Sequence, residues 1–149
     1  MSKMMLEKFD QIGIVVEDIE KTADFYQKFF KFKGQINIVE QDATVVYKGK
    51  ETTFSMKKVM QFFGGKQFEI VELVDIESTG DHLYKEFITE GNTGLHHLGI
   101  YVKNTNQYID QYKTEFGVDV AQTGKVGKLS FTYIDTKVVL GYYIELIEF

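Results

Sequence analysis

The sequence predicts an α+β fold made of two βαβββ modules in tandem, joined by a short helix. Three observations carry this expectation. A segment near the start recurs in the second half, each copy is followed by alternating apolar runs, and the runs are separated by Gly, Asn and Asp in a chain with no Pro.

The repeat appears at an offset of 86 residues, where FDQIGIVVEDIEKTADFYQKFF (9–30) lies over LHHLGIYVKNTNQYIDQYKTEF (95–116). Gly13 falls on Gly99, Ile14 on Ile100, Val16 on Val102, Asp24 on Asp110, Tyr26 on Tyr112 and Phe30 on Phe116. Each copy opens with period-two alternation and passes into a 3.6-residue period, so each reads as a strand followed by a helix. In the first copy Asp18 is the expected N-cap, with Ile19, Ala23, Tyr26 and Phe30 on one stripe. Strand-like runs then follow at Gln35–Tyr47, Thr52–Phe63 and Lys66–Val74, the last two joined by Gly64-Gly65, a good hairpin turn. The second half offers Val118–Thr123, Leu129–Asp135 and Val139–Phe149. Between the halves, Leu83 and Phe87 at i, i+4 predict a short helix ending at Gly91. One domain is expected over residues 1–149, with module one at about 8–75, the linker helix at about 78–91 and module two at about 94–149.

Composition narrows the function. At 149 residues, 44% hydrophobic and 15% aromatic, the chain can bury a substantial core. A net charge of −5 and scattered Lys residues leave no basic face for nucleic acid. No apolar run approaches the roughly 18 residues a membrane span needs, and MSKMMLEKFD lacks a signal-peptide core, so a cytoplasmic protein with no membrane partner is expected. Without Cys, a metal site must use N and O ligands. All seventeen cations are Lys, so no guanidinium is available to clamp a carboxylate or phosphate.

The repeat also selects the candidate site. It sets Gln11 against His97 on the two leading strands, and the same logic sets Glu69 of QFEIVEL against Glu145 of YYIELIE on the two closing strands. A pseudo-twofold axis would aim all four at one centre. Singly, each is an ordinary polar strand residue; their joint placement points to a metal. Because strand neighbours face opposite sides, His96 is expected to point away from His97, and Glu72 and Glu148 away from Glu69 and Glu145. His82 is expected on an exposed linker helix. Phe54, Phe62, Phe63, Phe131, Tyr133, Tyr142 and Tyr143 read as core, with inward-facing members free to line an apolar pocket.

The motifs FDQIGIVVEDIEKTADFY, GLHHLGIYV and YIDTKVVLGYYIELIE resemble those of the vicinal-oxygen-chelate superfamily, which includes glyoxalase I, methylmalonyl-CoA epimerase, extradiol dioxygenases and bleomycin- or fosfomycin-resistance proteins. The resemblance covers nearly the whole chain and is nearest to the glyoxalase I-like and epimerase-like members. It implies the glyoxalase fold, a cupped mixed sheet with the metal on its concave face, and ligands at Gln11, Glu69, His97 and Glu145. The cofactor expected is one divalent ion, Zn2+, Ni2+ or Co2+. The implied reaction is an isomerase or lyase step that shifts a proton next to a chelated carbonyl of a small-molecule substrate, with Glu145 as the catalytic base. The alternative is a small-molecule-binding or resistance protein without catalysis. Family members commonly pair modules edge to edge within a chain or across a dimer, and a homodimer is expected.

Two departures from the family pattern matter. Gln11 stands where most members have His, which matches the Gln, Glu, His, Glu set of eukaryotic-type glyoxalase I and argues against an Fe(II) dioxygenase. Tyr47 lies in the stretch where methylmalonyl-CoA epimerases carry an acidic acid/base residue, which argues against two-base epimerisation. The lack of Arg weakens a glutathione or CoA substrate, and no particular Lys can be chosen to replace it.

Overall fold

The computed structural model describes residues 4–149. Module one comprises β1 (Gln11–Val15), α1 (Ile19–Phe29), β2 (Val39–Tyr47), β3 (Lys50–Phe63) and β4 (Lys66–Val74). After a 3-10 turn at Ile76–Ser78 and the linker helix α2 (Leu83–Thr89), module two repeats the order. It runs β5 (Gly94–Tyr101), α3 (Thr105–Phe116), β6 (Val120–Val126), β7 (Leu129–Ile134), a one-turn helix α4 (Lys137–Leu140) and β8 (Tyr143–Glu148). The expected βαβββ, helix, βαβββ order is present. The final run is the exception: Val139 belongs to the helical turn, exposed with Val138, and the strand begins only at Tyr143. Gly141 ends that turn with φ of 88°, a conformation that costs glycine little.

Strand order is β1-β4-β3-β2-β6-β7-β8-β5, closed into a barrel. The first and last strands of each module pair in parallel, β1 with β4 and β5 with β8, and every other pair is antiparallel. The cupped mixed sheet is therefore present, and its rims are joined. The modules meet at β1–β5 and again at β2–β6, the latter through only Thr44–Tyr47 against Gln122–Lys125. Gly64 and Gly65 turn β3 into β4 with φ of 60° and 78°, the positive values a two-residue turn of this twist demands.

Period-two alternation divides each strand between two environments. On the outer face of module one, Ile14, Val16, Val59 and Ile70 pack with Ile19 of α1. Asp18 caps α1 as expected, accepting from Lys21 N at 3.1 Å. Glu72 and Glu148, turned outward as expected, have matching tasks: Glu72 accepts from Ile19 N, and Glu148 from Thr105 N, each at 2.9 Å. Each closing strand thus holds the first amide of its own module's helix, where a carboxylate is favoured. On the inner face Val15, Ala43, Val45, Phe54, Val71 and Tyr133 form a core that Leu83, Tyr84 and Phe87 of α2 plug from one end. The linker helix is therefore not exposed at its start. His82 is fully buried as its N-cap, Nδ1 accepting from Lys85 N at 3.3 Å, its ring stacked on Phe54 at 3.9 Å. A fixed cap and a flat apolar partner exclude water from this His, correcting the expectation of an exposed one.

Candidate metal centre

Gln11, Glu69, His97 and Glu145 are all brought to one place inside the barrel, and all four are buried. His97 Nε2 lies 3.1 Å from Gln11 Oε1, 3.3 Å from Glu69 Oε1 and 3.5 Å from Glu145 Oε1. Register explains the convergence. Across β1 and β5, Gln11 pairs with Gly99 and Gly13 with His97, so each polar side chain stands beside the other copy's glycine. A Cβ on Gly13 would lie 2.0 Å from the His97 ring, and one on Gly99 would lie 3.0 Å from Gln11. Both glycines are there to let the backbone and side chain approach.

His96 departs from expectation. The pairing shifts between Gly13 and Ile14, which oppose His97 and Leu95, leaving His96 as the extra residue of a bulge on β5. A bulge breaks the alternation, so both histidines enter the barrel. His96 is fully buried among Tyr84, Phe87, Tyr133 and Tyr143, and its Nδ1 is 2.9 Å from His97 Nδ1.

The two carboxylates have unlike surroundings. Lys58 Nζ lies 3.2 Å from Glu69 Oε2. Burial opposes the Glu69 charge, but the His97 hydrogen bond and the Lys58 ammonium outweigh it and hold the carboxyl at about 2. Among the described residues Glu145 Oε1 has no hydrogen-bond partner. Burial pushes its carboxyl above the usual range, against the pull of His97 and with help from the Glu69 charge. For His97, burial disfavours the cation, yet Glu145 and Glu69 raise it above the ordinary value. The amide of Gln11 is oriented by Gln67, whose Oε1 accepts from Gln11 Nε2 at 2.8 Å and from the Tyr101 hydroxyl at 3.1 Å. That leaves the Gln11 oxygen turned toward His97. The hydroxyls of Tyr84 and Tyr133 are 2.8 Å apart and reach Glu69 and Glu145 respectively.

Among the described residues no three His, Cys, Asp or Glu side chains are spread around a ready ion position. The donors are instead drawn onto His97 Nε2. Their chemistry and spacing nevertheless fit a divalent ion. Donors sharing one ion at about 2.1 Å lie roughly 3.0–3.4 Å from their neighbours, close to the separations found here. A buried carboxylate oxygen without a hydrogen bond is the second sign of fit, because such atoms are otherwise costly.

A cavity of about 280 Å³ opens onto this centre, with Phe54, Met56, Met60, Leu129 and Phe131 as apolar walls and Gln11, Glu69 and Glu145 among its polar lining. Lys58 also lines it. Sequence reading did not select Lys58, although TFSMKKVM places it on the same strand face as Phe54, Met56 and Met60, where a lone charge interrupts an apolar stripe. Tyr84 and Gln67 were likewise not selected, for they are remote in sequence from Glu69 and Gln11, which they support, and Tyr133 was read only as a core or pocket-lining aromatic. Tyr47 lies deeper, toward α2, where its hydroxyl donates to Glu86, and it does not line this cavity.

A closed pair of βαβββ modules with a polar centre between their leading and closing strands defines a two-module chelate-type barrel. Residues 10–133 match the family model described as Glyoxalase/Bleomycin resistance protein/Dioxygenase superfamily, and the chain belongs to that superfamily. No curated protein matches the sequence. Among solved structures, a hypothetical protein, BH1468, from Bacillus halodurans C-125 is similar with a TM-score of 0.67 and 21% identity, over 95% of this chain and 94% of that one. Methylmalonyl-CoA epimerase from Mycobacterium tuberculosis is similar with a TM-score of 0.64 and 18% identity, over 97% and 92%. A variant methylmalonyl-CoA epimerase from Streptomyces coelicolor, in complex with 2-nitronate-propionyl-CoA, gives 0.57 and 19%, over 97% and 98%. At these identities the likeness establishes the fold.

Proposed function

We propose that the protein is a metal-dependent isomerase or lyase that shifts a proton next to a carbonyl, with the ion held by Gln11, Glu69, His97 and Glu145. The observation that carries this reading is the inequality of the two carboxylates. Glu69 is paired with Lys58 and kept anionic, whereas Glu145 has an oxygen with no hydrogen bond among the described residues and a raised proton affinity. Two carboxyl groups driven apart in this way are suited to different tasks, one as a fixed charge and the other as a proton carrier. When bound, the ion supplies Lewis acidity toward the carbonyl and charge stabilisation for the enolate. Glu145 then removes the proton from the adjacent carbon and returns it. Tyr133 orients Glu145, and the walls of Met56, Met60, Leu129 and Phe131 keep water from the reacting carbon. Because Tyr47 is turned to Glu86, Glu145 acts as a single base.

The structural neighbours include enzymes of a CoA ester, but among the described residues Lys58 is the only cation lining this cavity, and it is engaged with Glu69. We assign the cavity to a small carbonyl compound with an apolar body. A second reading, a metal-free binder of such compounds, is favoured by one fact: Lys58 and a protonated His97 together balance Glu69 and Glu145 without an ion.

Metal content of the purified protein separates the two. About one equivalent of divalent ion, lost in His97→Ala, is expected; its absence beside tight binding of an apolar ligand sinks the enzyme reading. With hydroxyacetone as the first probe of an α-hydroxyketone panel, solvent deuterium should enter at the carbon next to the carbonyl. Glu145→Gln should keep most of its metal and lose that exchange by about 10²–10⁴, the usual worth of a positioned base. Exchange at the wild-type rate in this variant would leave Glu145 as a ligand only.

A further inference from the structure

Outside the four proposed ligands, the bulge residue His96 is buried directly against His97. Its Nδ1 is 2.9 Å from His97 Nδ1, both rings are fully enclosed, and they stand at 88° to one another. One of the two nitrogens must carry the proton of this hydrogen bond and the other must accept it.

The surroundings of the far side of His96 decide which. Among the described residues His96 Nε2 has no hydrogen-bond partner. The ring sits among Tyr84, Phe87, Tyr143 and Tyr133, with centroids at 4.8, 5.0, 5.2 and 5.8 Å. An N–H in an aromatic enclosure still finds weak acceptors in the ring faces, whereas a bare lone pair on this nitrogen has no N–H or O–H among the described residues to accept from. The proton of His96 therefore belongs on Nε2, which leaves Nδ1 as an acceptor. It follows that His97 carries a proton on Nδ1, and, because the Gln11 amide oxygen 3.1 Å from Nε2 can only accept, the metal-free ring carries one on Nε2 as well and presents it toward Gln11, Glu69 and Glu145.

We infer that His96 is a positioning residue, accepting a hydrogen bond from His97 Nδ1–H and so fixing the ring and tautomer that direct Nε2 at the three oxygens. An imidazole that binds a metal through one nitrogen commonly donates its other N–H, most often to a carboxylate, a backbone carbonyl or water. Here a second imidazole takes that part, and the bulge that upsets strand alternation is what places it there. This assignment rests on the metal reading for its purpose, but not for its hydrogen bond.

The test begins with long-range 15N–1H correlation spectra of the imidazoles in the metal-free wild-type protein at neutral pH. His96 should be protonated on Nε2 alone, and His97 should carry a proton on Nδ1 whether or not Nε2 is also protonated. A proton on His96 Nδ1, or His97 protonated on Nε2 alone, overturns the inference without any variant having to fold. Zinc affinity is then measured by competition with a chromophoric chelator. His96→Phe fills the enclosure but offers no acceptor, and it should weaken binding by about 10–100-fold, the usual effect of losing such a support. His96→Asn can place a carbonyl oxygen near the lost Nδ1 and should stay within a few-fold of wild type. Equal affinities in wild type and a folded His96→Phe overturn the positioning role. A wild-type chain that takes up no zinc at all overturns the metal reading, while the tautomer pattern still decides for or against the hydrogen bond.

Discussion

Replacing Gly13 by Ala tests the packing on which the centre depends. Gly13 does not have a positive φ, so the backbone itself accepts alanine. The added methyl group, however, would fall 2.0 Å from His97 Cε1 and Nε2 and 2.4 Å from Nδ1. Heavy atoms in ordinary contact are about 3.5 Å apart, so the ring would have to retreat by roughly 1.5 Å. There is no room behind it, because Tyr133, His96 and Tyr84 surround it with centroids at 5.4, 5.2 and 6.3 Å. Overpacking of this kind costs about 1–3 kcal/mol, and a clash with an enclosed ring belongs at the upper end. A shift of that size also removes Nε2 from the three oxygens, so metal affinity should fall by at least the roughly 100-fold that a lost supporting contact can cost. Gly99→Ala is the control. Its methyl group meets Gln11 and Ile147 at 3.0 Å, which asks for an adjustment of only a few tenths of an ångström, and a loss of about 1 kcal/mol is expected. Guanidinium unfolding and a zinc competition titration measure both quantities. A Gly13→Ala protein with the wild-type midpoint and affinity, or a Gly99→Ala protein that is the worse of the two, would refute the reasoning.

Lys58→Met should destabilise the metal-free protein by about 3 kcal/mol, the lower end of what breaking a buried pair costs, since His97 still faces Glu69. It should also tighten zinc binding by removing a competing cation, and unchanged stability with weaker binding would contradict both expectations. Burial, assisted by Lys85, holds His82 down at about 4 from 6.5, so the unfolded chain binds the extra proton between these values. Its contribution is complete above pH 6.5 and lost as pH falls toward 4, amounting to about 3 kcal/mol. His82→Asn, which can still cap α2, should flatten the pH dependence of the unfolding free energy in that window relative to wild type; parallel curves would exclude the assignment. Sedimentation should give a homodimer at micromolar concentration. As β2 and β6 are joined within the chain, such a dimer would not pair those strand edges, and a monomer would reject it.

The fold was legible because the repeat and the two periods agree on the same elements, and neither depends on distant contacts. The four central residues were legible for the same reason, since a duplication places equivalent residues at equivalent points. What escaped is what breaks a period or comes from elsewhere in the chain. His96 was expected on the far face because alternation was assumed to hold through GLHHLGI, and a one-residue bulge leaves no mark in such a run. His82 was expected in solvent because a helix linking two modules was placed outside both, although its start is inserted into the barrel beside Phe54. Lys58 was open to detection by its apolar neighbours at two-residue spacing, whereas Tyr84 and Tyr133 come together only through the closure of the barrel.

The exchange of space between Gly13 and Gly99 has a consequence for how this sequence can change. Each glycine occupies the same position in its copy, and each clears room for a side chain of the other: Gly13 for His97, Gly99 for Gln11. The halves are therefore not free to drift apart after duplication, because a methyl group gained in one is felt as a displaced side chain in the other. The arrangement is also self-complementary. A half-length chain made from either copy would bring both the lock and the key to a second copy of itself along the same seam.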